Sequence, residues 1–416
     1  MRDAADPGAR WLFTAAFLRS AGVGLCGVLL GVYMATAGLR PAGIGLVVAA
    51  GLGGTALATL WVSLRADRAG RRWSFVLLAA AGGSGMLIFA LAPPLAGLLA
   101  VVAAGGMVNG LGRDRGPLYS LDHAILPQGI SAAARTRRLA WYHITLEIGN
   151  ALGCLAAVIP AWLQGRLGVA PLASQRLALA AAGVLGLATA AAYSRLPEQV
   201  ELPPQRPAAP VSARGRRVVA LLASITSLDA FGGGFLGSAL VAYWFFERFG
   251  AREQALGTLF FAARLANGAS YLMAAWIAHR IGLIRTMVFT HIPASLLLML
   301  VPWMPSLGTA VAVFLLRELL VEMDVPTRQS FTLAVVAEEE RTFAAGVTSL
   351  ARNVAYTLSP GLAGWSMQAL ALSAPLYLGA GIKVAHDLVL FAAFRNIRPP
   401  EEQHPSGHSR ERHSDA

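Results

Sequence analysis

The stretch Ser63-Leu-Arg-Ala-Asp67-Arg68-Ala-Gly70-Arg71-Arg72 decides how this chain is read. It lies between two apolar runs, Ile44–Val62 and Trp73–Ala92. Each run is long enough to cross ~30 Å of hydrocarbon as a helix, so the basic segment between them is a tight turn at a membrane face. Outward from this turn the same pattern repeats. Of 416 residues, 56% are hydrophobic and 13% are charged, against about 25% charged in an ordinary soluble domain. The apolar residues come in blocks of roughly 20 rather than in narrow stripes, which predicts an all-α polytopic membrane protein.

The net charge of +12 comes from 34 basic residues, all Arg except Lys383. Nucleic-acid binding needs a continuous basic face, and here apolar spans cut the basic clusters apart. Twelve helices are expected, at roughly 11–36, 42–64, 73–92, 95–125, 139–163, 174–196, 218–246, 254–278, 286–301, 305–336, 343–369 and 373–394. The fourth and tenth are long, so each projects past the bilayer, tilts or breaks. One set of alternate loops collects most of the arginines, while the other holds only Arg40, Arg166, Arg176, Arg248 and Arg252. That bias places both termini in the cytoplasm. Cys26 and Cys154 lie inside apolar runs and read as small buried residues. The first run, followed by many more, reads as a retained helix rather than a cleaved leader.

Residues 197–217 carry Pro197, Pro203, Pro204, Pro207 and Pro210 among charges, a composition that resists a membrane helix. They divide a first half, 1–196, from a second, 218–398, and a polar tail over 399–416 is expected to be disordered. The halves repeat. A shift of 212 brings Arg40 and Gly45 onto Arg252 and Gly257, and Asp67-Arg68-x-Gly70 onto His279-Arg280-x-Gly282. Parallel six-helix repeats place a solute site between them at mid-membrane.

Asp67-Arg68-x-Gly70-Arg71-Arg72 resembles the loop between the second and third helices of the major facilitator superfamily. The resemblance, to a bacterial twelve-helix member, covers residues 10–398 and implies a secondary transporter that works by alternating access. It implies that Asp67 pairs with nearby guanidiniums and a second-half helix end when the cytoplasmic side closes. Gly70, Arg68, Arg71 and Arg72 complete that switch. Gly112-Arg113-Asp114-Arg115-Gly116-Pro117, Asp324-Val325-Pro326-Thr327-Arg328-Gln329-Ser330, and Lys383 with Asp387 resemble one branch of bacterial transporters. The Gly-Pro motif expected in the fifth helix of drug antiporters is replaced by Gly149-Asn150-Ala-Leu-Gly153.

Ionisable groups at membrane depth are expensive and face a bundle interior or a water-filled cavity. Glu318 and Glu322 are four apart on one helix face, where two close carboxylates favour sharing a proton. Pairing with Arg317 and other bases is the structural alternative. Asp324 and Arg328 flank Pro326, a bend suited to a cytoplasmic gate. Lys383 and Asp387, one turn apart, are expected to pair locally. Asp229 precedes Phe231-Gly232-Gly233-Gly234, where a weakened helix can line a cavity. Arg19, near its repeat-equivalent, is expected across that cavity from Asp229.

The expected function is therefore proton-coupled export of a small organic solute across the plasma (inner) membrane by a monomer. Asp229, Glu318 and Glu322 would carry the proton, and Arg19, Asp229 and Arg317 would contact the solute. Asp67, Arg68, Gly70, Arg71, Arg72, Asp324 and Arg328 would form the switch and gate. The alternatives are uptake or uniport of a polar nutrient or organic anion, or a non-transporting receptor or assembly protein with the same fold. The partners are the lipid bilayer, the solute and protons. No cofactor is implied, since no phosphate-binding glycine loop occurs, and the histidines lack metal-ligand spacing. No nucleophile–base set points to an enzyme.

Overall fold

The computed structural model describes residues 7–126, 132–197, 201, 212–323 and 341–394. Every regular element among these residues is helical. The first half holds α1 (Pro7–Thr36), α2 (Pro41–Ala69), α3 (Arg71–Leu91), α4 (Ala96–Gly105), α5 (Pro117–Ile125), α6 (Ala132–Ala156), α7 (Ile159–Leu167) and α8 (Pro171–Tyr193). The second holds α9 (Ala213–Gly234), α10 (Ser238–Phe249), α11 (Glu253–Ile281), α12 (Leu283–Leu300), α13 (Leu307–Val321), α14 (Arg341–Ala369) and α15 (Ala374–Phe394). Among the described residues, eight helical spans are long and apolar enough to cross a membrane. Large apolar side chains such as Leu57, Trp73, Leu91, Val101 and Trp303 are exposed, which suits contact with lipid rather than water.

The helix ends follow from local sequence. Pro41 opens α2 after an extended Arg40, because its missing N–H would have had no helical partner anyway. Ser306 and Thr309 cap the start of α13 reciprocally. The repeat reaches the backbone: α11 has the bounds of α2 displaced by 212 residues. Gly38, Gly70, Gly250 and Gly282 all have positive φ, and they too pair at that spacing.

The fourth expected helix takes the breaking option. Residues 106–116 separate α4 from α5, with Met107 and Gly112 at positive φ. Side-chain amides take over the freed backbone groups. Asn109 accepts from the N–H of Leu111 at 2.9 Å and donates to the Arg113 carbonyl at 2.7 Å, while Asn150 donates to the Gly112 carbonyl at 3.1 Å. The seventh expected helix also divides, between Gly234 and Ser238, just after its three glycines. The two breaks meet: the N–H groups of Ser238 and Ala239 donate to the carbonyls of Leu111 and Gly110 at 3.2 and 3.0 Å. Groups freed by each break are thus satisfied by the other, which is how irregular backbone survives at membrane depth.

Further contacts join the halves at one end. Gly31 of α1 lies so close to Ala239 of α10 that a Cβ would strike its carbonyl, and Gly45 of α2 lies equally close to Pro360 of α14. The Ala42 N–H donates to Gln368 Oε1 at 3.3 Å. Gln175 and Gln164 donate to Glu253 Oε1 at 2.6 and 3.3 Å. All these groups lie toward the end where α1 stops and α2 starts.

Candidate functional site

A cavity of about 790 Å³, part of it open to solvent, lies between the halves. The break after α4 contributes Leu111, Arg113 and Arg115 to its lining. The second half contributes Asp229 and Gly233 from α9, Arg264 from α11, His291 from α12, Arg317 and Glu318 from α13 with Glu322 just beyond, Arg352 and Tyr356 from α14, and Lys383 from α15. The two helix breaks therefore do what the glycines of the seventh helix suggested: they open the backbone around a cavity. Phe260, Phe314 and Leu298 supply apolar wall beside these charges.

The carboxylates of this lining are engaged. Glu322 Oε1 accepts from Arg113 at 2.5 Å, an ion pair between the halves. Glu318 accepts from Arg317 and, at 2.6 Å, from Asn267, which also donates to the Glu318 carbonyl at 3.0 Å. Arg113 completes the chain by donating to Asn267 Oδ1 at 3.3 Å. Of the two arrangements open to Glu318 and Glu322, the structure has each carboxylate beside its own guanidinium. Lys383 Nζ donates to Asp229 Oδ1 at 2.6 Å, joining α15 to α9.

Two expected pairings differ. Lys383 does not pair with Asp387, although one turn separates them. The helices packed on α15 offer each another partner, Asp229 for Lys383 and His291 Nδ1 at 3.0 Å for Asp387, and Asp387 also bonds its neighbour on α15, His386 Nδ1, at 2.9 Å. Nor does Arg19 face Asp229. It turns into the first half, with Asp114 at 2.7 Å, Asp122 at 2.9 Å and the Tyr142 hydroxyl at 3.1 Å, and also touches the Tyr193 hydroxyl. Tyr142 donates to Asp122 at 2.7 Å, and Tyr193 stacks on Phe75 with ring centroids 4.3 Å apart. Arg19 and Asp114 edge a second cavity of about 780 Å³, mostly apolar, bounded by α1, α3, α8 and the break after α4. Packing thus commits Arg19 to two first-half carboxylates before it can reach the second half.

The histidines, scattered in sequence, come together in part. Asp229, His291 and His386 place donor atoms within 4.8 Å of one another, all buried. Two imidazoles and a carboxylate are a donor set for a divalent cation, and Asp387 would orient both rings. The Lys383 ammonium on Asp229 opposes a cation there, so the arrangement fits a proton-bearing network better. Sequence spacing could not reveal this cluster, because its members come from three helices.

In the loop that opened the reading, Gly70 has φ +92° and ends α2. Arg71 is buried, and Arg72 donates to the Ser194 carbonyl at 2.5 Å. Glu201 accepts from the backbone N–H groups of Arg71 and Arg72 at 2.7 and 3.0 Å. The linker thereby caps α3, a contact the sequence did not announce. Arg68 is exposed in the last turn of α2. The side chain of Asp67 lies outside what the structure describes, and Asp324 and Arg328 lie outside the described residues.

A family profile described as Major Facilitator Superfamily matches residues 12–316 and 222–414. The chain is 23% identical over 420 residues to a Saccharomyces cerevisiae protein described as uncharacterized membrane protein YJR124C, across 93% of this chain and 94% of that one. The fold superposes on a variant of the nucleoside transporter NupG with a TM-score of 0.71 at 16% identity, covering 93% of this chain and 99% of that chain. It superposes on the inward-open xylose transporter XylE from E. coli with a TM-score of 0.66 at 13% identity, covering 92% and 96%. At such identities the structural likeness is one of fold.

Proposed function

We propose, from the premise that the chain belongs to the major facilitator superfamily, that it couples proton movement to transport of a small polar organic solute through the central cavity. Its all-α fold is that of the superfamily, and it is a multi-pass membrane protein. The observation that carries the proposal is the Asp229–Lys383 ion pair, buried in the wall of a cavity that both halves line. Protonating Asp229 neutralises the carboxylate that holds Lys383 and releases the ammonium toward the solute. Proton and solute then favour each other's binding, as linkage requires.

Twelve spans in two six-helix halves, 1–196 and 218–398, complete the reading once the divided helices are joined in pairs. The linker 197–217 and both termini lie in the cytoplasm, the protein sits in the plasma (inner) membrane, and it works as a monomer. Under that topology the contacts joining α1 with α10 and α2 with α14 form the outer seal, so the state described is closed to the outside. Asp67, Arg68, Gly70, Arg71 and Arg72, with Asp324 and Arg328, act at the opposite, cytoplasmic end. Glu318 and Glu322 hold the halves in register through Arg113 and Asn267, and give way as proton carriers to Asp229. Arg19 positions α1 within the first half rather than touching solute.

The two directions differ in sign. Mutual support of proton and solute favours uptake down an inward proton gradient; one similar structure is described as a D-xylose–proton symporter. Export, expected from sequence, is the second reading and requires that protonation expel the solute. Proteoliposomes with an imposed pH gradient, loaded in turn with succinate, glycerol 3-phosphate, xylose and uridine, separate them. Uptake predicts accumulation on the alkaline side, and export the reverse. Asp229→Asn is expected to abolish gradient-driven flux while sparing solute exchange. Full gradient-driven flux in that variant would refute the proton assignment. Cysteine accessibility that stays fixed under every solute and pH would favour the receptor reading.

A further inference from the structure

We infer that His291 is the group that passes the proton to and from Asp229, with Asp387 holding its ring in place. This rests on the proton-coupled reading of the central cavity and names the residue through which that coupling runs.

Packing of α15 against α9 and α12 brings two imidazoles and two carboxylates together, all of them buried. His291 Nδ1 of α12 lies 3.0 and 3.1 Å from the two Asp387 oxygens, and His386 Nδ1 lies 2.9 Å from Oδ1. Donor atoms of Asp229, His291 and His386 lie within 4.8 Å of one another. A single water covers such a gap: two hydrogen bonds of ordinary length, meeting at its tetrahedral angle, put their far ends about 4.6 Å apart.

Charge balance assigns the proton. Asp229 has the Lys383 ammonium at 2.6 Å. Among the described residues, Asp387 has hydrogen bonds and ion pairs with the two imidazoles and with no other side chain. A buried carboxylate at membrane depth is costly without a cation, and a protonated imidazole is the cation within its reach. The network is then two neutral pairs, Asp229 with Lys383 and Asp387 with an imidazolium. His291 is the ring placed to use that proton. It bonds both Asp387 oxygens, and it lines the central cavity beside Asp229 and Lys383, whereas His386 is not part of that lining.

The transfer balances. Nδ1 of His291 is committed to Asp387, so the proton exchanged is the one on Nε2. That N–H bond breaks, an O–H bond forms on Asp229, and a neutral imidazole remains with its Nδ1–H donated to Asp387. The total charge of the cluster does not change, so the step creates no net charge at membrane depth. Tyr356 and Arg352 of α14 and Arg115 from the break after α4 also act on this wall. A phenol and two guanidiniums already carry their protons at neutral pH and accept none from an imidazolium.

The bland alternative is that His291 only clasps α12 to α15. Full-length protein in proteoliposomes separates the two, with labelled xylose, uridine, succinate and glycerol 3-phosphate supplied in turn. His291→Ala should lower gradient-driven flux relative to solute exchange at least tenfold. Free imidazole on both sides, able to enter the cavity wall where the ring stood, should recover at least a third of the wild-type ratio. Pyrazole, a ring of the same size and a far weaker base, should not. An unchanged ratio in His291→Ala overturns the inference, as does equal recovery with both rings, which is filling of space, or recovery with neither. Should His291→Ala fail to fold, His291→Gln, which keeps a donor for Asp387, is expected to show the same fall in ratio, and an unchanged ratio there overturns the inference equally. A wild-type ratio in His291→Ala beside a collapsed one in Asp229→Asn strikes the role of His291 and leaves the coupling reading standing. Wild-type protein that exchanges solute but gives no gradient-driven flux defeats the coupling reading itself.

Discussion

At the scale of single residues, the decisive pairings are made across helices. Lys383 and Asp387 share a face of α15, and that much was legible from their spacing. The sequence could not say that α9 brings Asp229 to Lys383, or that His291 of α12 reaches Asp387. Burying an ion pair is a weak source of stability, but removing one partner strands the other charge. Asp229→Asn alone should therefore destabilise the protein by about 3–5 kcal/mol, since it leaves a buried ammonium opposite a neutral amide. Lys383→Met alone should cost a similar amount. The double variant Asp229→Asn with Lys383→Met should recover most of the loss, because neither charge remains. Denaturation of the four proteins in the same detergent measures the coupling. If the double variant lost the sum of the two single effects, the pair would not be the unit assumed in the coupling mechanism.

At the scale of elements, the helices that sequence defined best are those with a proline at one end and an uninterrupted apolar run, such as α2. Their bounds were legible to within a few residues. Division of the seventh helix was signalled by Gly232, Gly233 and Gly234, which weaken a helix wherever they fall. Division of the fourth was only one of three options, because part of what stabilises it is distant: beside local Asn109, it takes Asn150 on α6 and the Ser238 N–H on the second half. The capping of α3 was wholly illegible. That helix has no acidic residue in its first turn, so its N–H groups take Glu201 from the linker. A carboxylate there satisfies two donors and faces the positive end of the helix dipole. Glu201→Ala should lower stability by about 1 kcal/mol and speed hydrogen exchange at the amides of Arg71 and Arg72. Unchanged exchange at those two amides would mean that the linker does not hold α3 in solution.

At the scale of the whole molecule, the halves meet along a seam where backbones come close. Glycines let α1 approach α10 and α2 approach α14 backbone to backbone, within an apolar cluster that takes side chains from both halves. Among the described residues the polar links across this seam include Gln175 and Gln164 to Glu253 and Ala42 to Gln368. Beneath it, Arg113 ties the first half to Glu322 and Asn267 near the cavity. On the proposed mechanism, one half would rock against the other by exchanging these hydrogen bonds, with the network around Arg19 tying α1 into the first half. If rocking opens the seam, fixing it should stop transport. Cysteines placed at Ala42 and Gln368, whose backbone and side chain lie 3.3 Å apart, can be joined by a short disulfide-forming reagent. The native Cys26 and Cys154 are buried and give little background reaction. Cross-linking should cut flux at least tenfold and reductant should restore it, while either single cysteine leaves flux near that of the parent. A cross-linked protein that carried solute at the uncross-linked rate would show that this end of the seam stays shut throughout the cycle, and the halves would then have to move about it as a fixed hinge.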